Sequence, residues 1–241
     1  MRVTILIPTL DEEKALPATI AALRLLDPPA DELLLVDGGS ADATIAIARG
    51  AGLRVLAAPS TGRAVQINFG VENAVGDIVC VLHADSFLPE DGIAVIRHSM
   101  ADPRRALASF TPRIAGPGGT RWFTTVHNWA KTWYAPLLLR PHLFVRGVRL
   151  LFGDHAMFFR RADFLAVGGC DPGVAIMEEA DLCIKLARLG SIGMVARWVW
   201  TSDRRIAAWG PVKANWIFVK VGVMWSFGAR ARLGDMYPPI R

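Results

Sequence analysis

An alternation of short apolar runs with amphipathic segments, over the first 100 residues, restricts the fold more than any other sequence feature. The apolar runs are Val3–Ile7, Leu33–Val36, Leu53–Ala57 and Ile78–Leu82. Segments with helical periodicity lie between and after them, near residues 13–26, 41–51, 63–75 and 90–100. This alternation is typical of βαβ units and predicts an α/β fold with a mostly parallel sheet flanked by helices. In such sheets, ligands bind beyond the carboxyl ends of the strands.

The pattern changes after residues 116–119, where Gly-Pro-Gly-Gly predicts a loop. Farther on, His155–Phe159 predicts a strand, and Glu179–Leu189 predicts a helix that Gly190 ends. Two more helices are predicted where bulky apolar residues recur at helical spacing. These residues are Trp122, Val126, Trp129 and Trp133, and then Val212, Trp216, Val219, Val223 and Phe227. The second half continues the first without a linker, so we predict one domain over residues 1–241.

Composition and cysteine usage narrow the class of protein. The 241 residues are 52% hydrophobic and 20% charged, which excludes a disordered chain. Cys80, Cys170 and Cys183 show no C-x-x-C spacing, so neither a disulfide framework nor a cysteine zinc site is predicted. The first residues do not resemble a signal peptide, and no run of about 18 uncharged apolar residues predicts a membrane-spanning helix. We therefore expect a cytoplasmic protein.

Charge is distributed unequally along the chain. Residues 1–110 contain nine Lys and Arg against 14 Asp and Glu, whereas residues 111–241 contain 18 against eight. All eight tryptophans lie in the second part, from Trp122 to Trp225. A nucleic-acid-binding protein would be expected to be basic throughout, so this split argues against nucleic acid as a partner. The two parts are predicted to meet different partners.

Polar residues cluster where the predicted strands end. Residues 8–13 (Pro-Thr-Leu-Asp-Glu-Glu) follow the first strand, 37–40 (Asp-Gly-Gly-Ser) the second, and 83–85 (His-Ala-Asp) the fourth. Each cluster has a purely structural explanation, because Asp and Ser commonly cap helices and Gly-Gly commonly forms turns. Three such strand ends on one parallel sheet would face a single crevice, and together they favour a ligand site.

These motifs resemble those of the family 2 glycosyltransferases, which have a GT-A type, Rossmann-like fold. Asp42 and Thr44 after the second cluster extend the resemblance. Four further motifs resemble a small bacterial subgroup, in which His-Ala-Asp replaces the usual Asp-x-Asp. They are Gly62-Arg63-Ala64 with Gln66 and Asn68, Phe152-Gly153-Asp154, Met177-Glu178-Glu179 with Asp181-Leu182, and Ser202 with Arg204-Arg205. The resemblance covers nearly the whole chain.

The resemblance implies that residues 1–110 bind a nucleotide-sugar donor, most simply one linked to UDP. The nucleotide-binding residues it implies are Pro8, Thr9, Glu12, Asp37, Gly38, Arg63 and Ala84. Asp37 would accept a hydrogen bond from a ring N–H of the base. Asp85 would bind Mn²⁺ or Mg²⁺, which favour oxygen ligands. His83 stands where relatives have a carboxylate, and a simple hydrogen-bonding role at the strand end is the alternative.

The resemblance also implies that residues 111–241 bind the acceptor. Glu178 and Glu179 match an acidic pair near the acceptor site, with Glu179 as the general base of an inverting single displacement. Their structural alternative is the first turn of a helix, where the helix dipole favours acidic residues. Asp154 and His155 are assigned to the acceptor or the diphosphate. Arg204 and Arg205 are expected on a mobile loop that closes over the diphosphate, or else as solvated surface residues.

The tryptophan-rich helices leave several partners open. A basic amphipathic helix with Trp and Phe can lie at a membrane surface, which would suit a lipid acceptor at the inner face of the membrane. Core packing and a homodimer interface are the alternatives. The acceptor itself is open among a lipid, a metabolite and a glycan. A sugar-phosphate nucleotidyltransferase and a non-catalytic, nucleotide-sugar-binding or membrane-associated scaffold remain as other functions.

Overall fold

The computed structural model describes residues 1–174 and 176–228, and its elements follow the predicted alternation. The strands of the first half are β1 (Val3–Thr9), β2 (Glu32–Asp37), β3 (Arg54–Ala57), β4 (Ile78–Val81) and β5 (Ser86–Phe87). Its helices are α1 (Leu16–Leu23), α2 (Thr44–Gly50), α3 (Arg63–Asn73) and α4 (Gly92–Met100). The four predicted strands and the four predicted helices of this half are therefore confirmed.

The second half contributes strands as well as helices. Its strands are β6 (Arg105–Gly116), β7 (Gly119–Thr120), β8 (Met157–Arg160) and β9 (Ser191–Ser202). Its helices are α5 (Trp122–Leu139), α6 (Pro141–Phe144), α7 (Arg161–Ala166), α8 (Glu178–Leu186), α9 (Arg204–Trp209) and α10 (Pro211–Ser226). A 3₁₀ turn over Gly153–His155 precedes β8. None of the helices in the described ranges is long and apolar enough to span a membrane.

Within the described residues, these strands form one continuous sheet through both halves. The strand order is β3-β2-β1-β4-β8-β6-β9-β5, and β7 pairs with β6. Strands β1 to β4 are parallel to one another, and β6 is parallel to β9. β8 is antiparallel to both β4 and β6. The longest pairings are parallel, which agrees with the predicted α/β fold.

This topology brings distant chain segments to one edge of the sheet. Parallel register pairs Thr9 with Asp37, so β1 and β2 end side by side, and β4 ends next to β1. Because β8 is antiparallel to β4, the turn over Gly153–His155 lies at that same edge. β9 also ends there, since β6 and β9 run opposite to β8.

The central strands are buried on both faces. Leu6 belongs to one core cluster, while its neighbours Ile5 and Ile7 belong to the other, because successive strand residues point to opposite faces. Helix α3 packs so closely on β1 that a Cβ added at Gly70 would lie 2.3 Å from Leu6 Cδ1. This close packing fixes the first residue of α3, Arg63, near the edge where the strands end.

Several predictions at the level of elements were wrong. The strand expected from His155 begins at Met157, because the residues before it form the 3₁₀ turn. By contrast, the loop predicted over residues 116–119 is confirmed as a tight turn between β6 and β7, which Gly119 permits with a φ of 88°. Arg204 and Arg205 begin helix α9 and do not lie on a loop. β6 and β9 were not predicted.

The two tryptophan-rich helices were predicted correctly as α5 and α10. The core-packing alternative for their apolar stripes is wrong at most positions. The exposed residues of these stripes are Trp122, Val126, Trp129 and Trp133 on α5, and Val212, Trp216, Val219, Val223 and Phe227 on α10. Both helices therefore present apolar surface outward.

Candidate active site

A cavity of about 340 Å³ lies at the edge where the strands end. Eight polar residues singled out in the sequence line it: Arg63, His83, Asp85, Asp154, Glu178, Glu179, Arg204 and Arg205. They come from five separate segments that the sheet topology brings together. The remaining predicted site residues, Pro8, Thr9, Glu12, Asp37, Gly38, Ala84 and His155, are not part of this lining.

The predicted base-recognition residue, Asp37, is buried at the end of β2. One of its oxygens accepts hydrogen bonds from the backbone N–H groups of Gly39 and Ser40, at 2.8 and 2.9 Å. The other oxygen accepts the hydroxyl of Ser40. The carboxylate therefore stabilises the turn after β2 and is held in a fixed orientation.

A glutamine on α3 connects the first two strand ends. Gln66 Nε2 donates to the carbonyl oxygens of Thr9 (2.6 Å) and Val36 (2.9 Å). A Cβ at Gly38 would lie 3.0 Å from the same nitrogen, so glycine gives Gln66 room there. Gln66 was matched as a family motif residue, but its role in joining β1 to β2 was not predicted.

Arg204 links the ends of β1 and β4. Its guanidinium donates to both oxygens of Glu12, at 2.7 and 2.8 Å, and its Nε lies 2.9 Å from Asp85 Oδ2. Such bidentate pairing is the strongest arrangement available to an arginine and a carboxylate. The pairing places one arginine between two predicted donor-site carboxylates. Both oxygens of Glu12 are therefore already hydrogen-bonded to Arg204.

The acidic pair lies at the start of α8, and both side chains are buried. Arg63 is 3.8 Å from Glu178 and 3.7 Å from Glu179. Burial, and then the charge of Glu179, raise the pKa of Glu178 to about 8. Burial also raises the pKa of Glu179, while Arg63 opposes that shift. Near neutral pH the two carboxyl groups therefore carry one proton between them, and Arg63 stabilises the single negative charge that remains.

The raised pKa of Glu178 predicts an unusual dependence of stability on pH. The carboxyl of Glu178 ionises near pH 4.5 in the unfolded chain and near pH 8 in the folded protein. Its favourable contribution to the free energy of unfolding is therefore complete only below pH 4.5. That contribution is lost as the pH rises through 8. Glu178→Gln cannot ionise, so we expect it to be more stable than the wild type by about 3 kcal/mol at pH 8. Melting curves at pH 4.5 and pH 8 test this.

The exposed Glu72→Gln is the matched control, and it should follow the wild-type curve at both pH values. A Glu178→Gln protein that melts below the wild type at pH 8 would contradict the buried, protonated carboxyl.

His83 faces Glu179 across a glycine. A Cβ at Gly153 would lie 2.5 Å from Glu179 Oε1 and 2.6 Å from His83 Nε2, so a side chain there would separate the two. His83 Nε2 is buried without a hydrogen-bond partner. Burial, and then Arg63, lower the pKa of His83 to about 3, so the imidazole is neutral at physiological pH. A neutral, unpartnered ring nitrogen is available to a ligand.

Helix α5 supplies residues that were missed in the sequence. Asn128 donates to Asp154, and Lys131 Nζ lies 3.8 Å from the centre of the Phe152 ring. Burial lowers the pKa of Lys131, although Asp154 and Glu179 oppose the shift. Burial works against ionisation of Asp154, but its cationic and amide neighbours outweigh burial and hold its pKa below the ordinary value.

The predicted contact residue His155 is fully buried and is not part of the cavity lining. Its Nε2 lies 3.8 Å from Asp154 Oδ1, and burial lowers its pKa to about 4. The structure therefore does not bring His155 into the cavity with Asp154.

The residues at the edge of the sheet can be tested for their fit to a divalent metal ion. Within the described ranges, no group of three or more His, Cys, Asp or Glu residues could hold a metal ion by itself. Mg²⁺ is commonly bound by one or two carboxylates together with substrate phosphates. Asp85 offers one such carboxylate, and His83 offers a neutral nitrogen nearby. These residues fit a metal ion whose other ligands are diphosphate oxygens.

Backbone strain is concentrated at the same edge. Among the described residues, the non-glycine positions with positive φ are Asp11 (53°), Ala156 (46°) and Met177 (73°). Each one adjoins a predicted site residue, namely Glu12, His155 and Glu178. Strained backbone persists where the surrounding structure holds it in place, and it clusters at functional sites.

The family model described as Glycosyl transferase family 2 matches residues 4–167. The chain belongs to glycosyltransferase family 2. The match includes the ends of β1, β2 and β4, while Glu178, Glu179 and Arg204 lie beyond it. An uncharacterized glycosyltransferase of Mycobacterium tuberculosis is 37% identical over 83 residues, which is 34% of this chain and 36% of that protein. The matched segment spans about a third of that relative's length.

Solved glycosyltransferase structures share the fold. The mannosyltransferase PcManGT from Pyrobaculum calidifontis, in complex with GDP-Man and Mn²⁺, has a TM-score of 0.69 and 21% identity, covering 99% of this chain and 66% of that chain. Glucosyl-3-phosphoglycerate synthase from Mycobacterium tuberculosis, in complex with Mn²⁺, UDP and phosphoglyceric acid, has a TM-score of 0.60 and 20% identity, covering 97% and 80%. The predicted GT-A fold is thereby confirmed.

Proposed function

We propose that this chain transfers a sugar from a nucleotide-linked donor, UDP-linked in the simplest case, to an acceptor with inversion at the anomeric carbon. The observation that carries the proposal is the convergence of an acidic pair, three arginines and a strand-end carboxylate in one cavity. The family gives the reaction class. The nucleotides bound in the two solved structures described above, GDP-Man in one and UDP in the other, support this donor class.

The donor would lie along the ends of β1, β2 and β4. The base and ribose would contact Pro8, Thr9, Asp37 and Gly38. The backbone of Ala84 would lie beneath them. A fixed carboxylate is suited to accept the ring N–H of uracil, because its orientation does not have to be arranged on binding. Since Glu12 already binds Arg204, its part would be to position that arginine.

The leaving diphosphate gains negative charge as the glycosidic bond breaks. Arg63, Arg204 and Arg205 line the cavity and would stabilise that charge. A divalent ion held by Asp85 would, when bound, add positive charge at the same oxygens. The cationic side chains make this end of the cavity suitable for a diphosphate in either case.

Glu179 would act as the general base. It would accept the proton of the acceptor oxygen as that oxygen forms a bond to the anomeric carbon and the diphosphate leaves with the bonding electrons. The geometry supports Glu179 over Glu178, because Glu179 faces His83 across Gly153 and Arg63 favours its ionised form. Asp154 and Lys131 would hold the acceptor next to it.

Release of nucleoside diphosphate from a panel of UDP- and GDP-sugars tests this function. We expect UDP to be released from a UDP-sugar, slowly with water and faster with an acceptor. Pyrophosphate formed from UTP and a sugar 1-phosphate would support the nucleotidyltransferase alternative. Binding of a UDP-sugar with no release under any condition would support the scaffold alternative.

We also propose that the outward faces of α5 and α10 contact an anionic membrane surface. Neither helix contains an acidic residue, and the exposed Lys213 and Lys220 lie on α10 with its exposed apolar residues. Aromatic and apolar side chains combined with lysines suit the interface of an anionic bilayer. Flotation with anionic vesicles and with neutral vesicles tests this contact. A chain that binds neither but sediments as a dimer would support the homodimer alternative.

A further inference from the structure

The cavity has an apolar sector that the donor chemistry does not use. It lies between α5 and α10, and we call it the α5–α10 groove. Its walls are Leu138, Leu139, Phe218, Val219, Val223 and Trp225. This groove is continuous with the end of the cavity that contains Glu179, so a molecule in it would reach the proposed general base.

Three polar side chains that border the groove, His127, Tyr134 and Asn215, are hydrogen-bonded to one another, whereas Trp225 Nε1 is buried without a partner. His127 Nδ1 lies 2.7 Å from Asn215 Oδ1, and His127 Nε2 lies 2.6 Å from the hydroxyl of Tyr134. Asn215 Nδ2 donates to the carbonyl oxygen of Pro211 at 2.7 Å. A glycan or a small polar metabolite in the groove would lose its hydration and gain few hydrogen bonds in return, which costs free energy.

The groove opens to the surface through apolar side chains. Leu138 is 71% exposed, and Val219 and Val223 are 40% and 37% exposed, although all three line the cavity. At the inner end, Lys131 lies on the ring of Phe152 and marks the change from apolar to charged surroundings. The arrangement fits a molecule with a hydrocarbon chain and an oxygen-bearing head.

We propose that the α5–α10 groove binds the hydrocarbon chain of an amphipathic acceptor, whose terminal hydroxyl or phosphate oxygen lies beside Glu179. This inference rests on the proposed function, because it names the acceptor class of the same site. Lys131 and the arginines of the cavity would contact the polar head of the acceptor. Leu138 and Val223 would contact its hydrocarbon chain near the opening of the groove.

Calorimetric titration with two homologous series tests the proposal, one of alkyl phosphates and one of alkyl alcohols, from ethyl to decyl. Burial of each added methylene contributes a roughly constant increment, so affinity should rise about fourfold per methylene. The two series show which head the site takes, and chain-length dependence in either one supports the groove. Affinity that is independent of chain length in both series would overturn it.

Matched variants locate the binding to the groove. Leu138→Glu and Val223→Glu place a charge at the opening and should remove most of the gain from chain length. Both sites are partly exposed, so the variants are expected to fold. Leu189→Glu makes the same change at a site that is 48% exposed, outside the cavity lining and on neither α5 nor α10. It should behave as the wild type, and equal loss in all three variants would contradict the assignment.

Titration of UDP into the same wild-type protein separates this inference from the proposed function. UDP binding without a chain-length effect would overturn the groove alone. A chain-length effect without UDP binding would overturn the proposed donor site instead.

Discussion

Glu179→Gln is expected to lower the rate of sugar transfer by about 10²–10⁴-fold, the range typical of a lost general base. The amide keeps the size of the side chain but cannot accept the acceptor proton. The affinity for UDP should be unchanged, because the proposed diphosphate contacts are those of Arg63, Arg204 and Arg205. Initial rates with saturating donor, together with calorimetric titration of UDP, measure the two effects separately.

Glu178→Gln is the matched control for this prediction. Burial keeps Glu178 protonated below about pH 8, so the neutral amide resembles the state it already occupies. We expect it to retain most of the activity. The opposite ranking, with Glu178→Gln inactive and Glu179→Gln active, would move the base to Glu178.

The pH profile should report the same group. Since burial raises the pKa of Glu179 and a base must be ionised, the wild-type rate should fall as the pH drops below that raised value. The residual rate of Glu179→Gln should lack this acidic limb.

Arg204→Ala is the second change with a large expected effect. It removes a side chain that bridges Glu12 and Asp85, and it leaves both carboxylates without that partner. Turnover should fall by about 10²–10³-fold, as for the loss of one charge-stabilising donor in other active sites. The protein should also lose about 2 kcal/mol of stability, because part of a largely buried ion pair is left uncompensated.

Arg204→Lys separates charge from geometry. Lysine keeps the positive charge but cannot bind both oxygens of Glu12 through a planar fork. We therefore expect it to recover more stability than activity. Full recovery of turnover by lysine would show that only the charge matters. An Arg204→Ala enzyme with normal turnover would remove Arg204 from the proposed site.

The donor half of the fold was predictable from sequence because its signals are local. Buried parallel strands appear as continuous apolar runs, and the polar residues that follow them mark where each strand ends. Asp37 and Asp85 were located in this way. β9 escaped prediction because most of its residues are at least partly exposed. β6 is largely buried, but it pairs with β9, a segment far away in the chain.

The acceptor side was less predictable for a related reason. Helical periodicity shows which residues of α5 share a face, but not which face meets the cavity. Asn128 and Lys131, three positions apart, were a visible signal on the polar side of the tryptophan stripe, yet only the tertiary structure shows them next to Asp154. The same limit applies to Arg204, whose partners Glu12 and Asp85 are more than 100 residues away in sequence.

The binding of a nucleotide sugar at the strand ends is the central claim, and thermal shift with a panel of nucleotide sugars tests it most directly. A ligand at 100 times its dissociation constant adds about 2.7 kcal/mol of stability. For a chain of this size, that corresponds to a rise in Tm of roughly 5–10 °C. We expect this rise with a UDP-sugar in the presence of Mn²⁺ or Mg²⁺, and a smaller one for Asp37→Asn. A wild-type Tm that no nucleotide sugar changes, with either metal or without one, would contradict the assignment of the donor site.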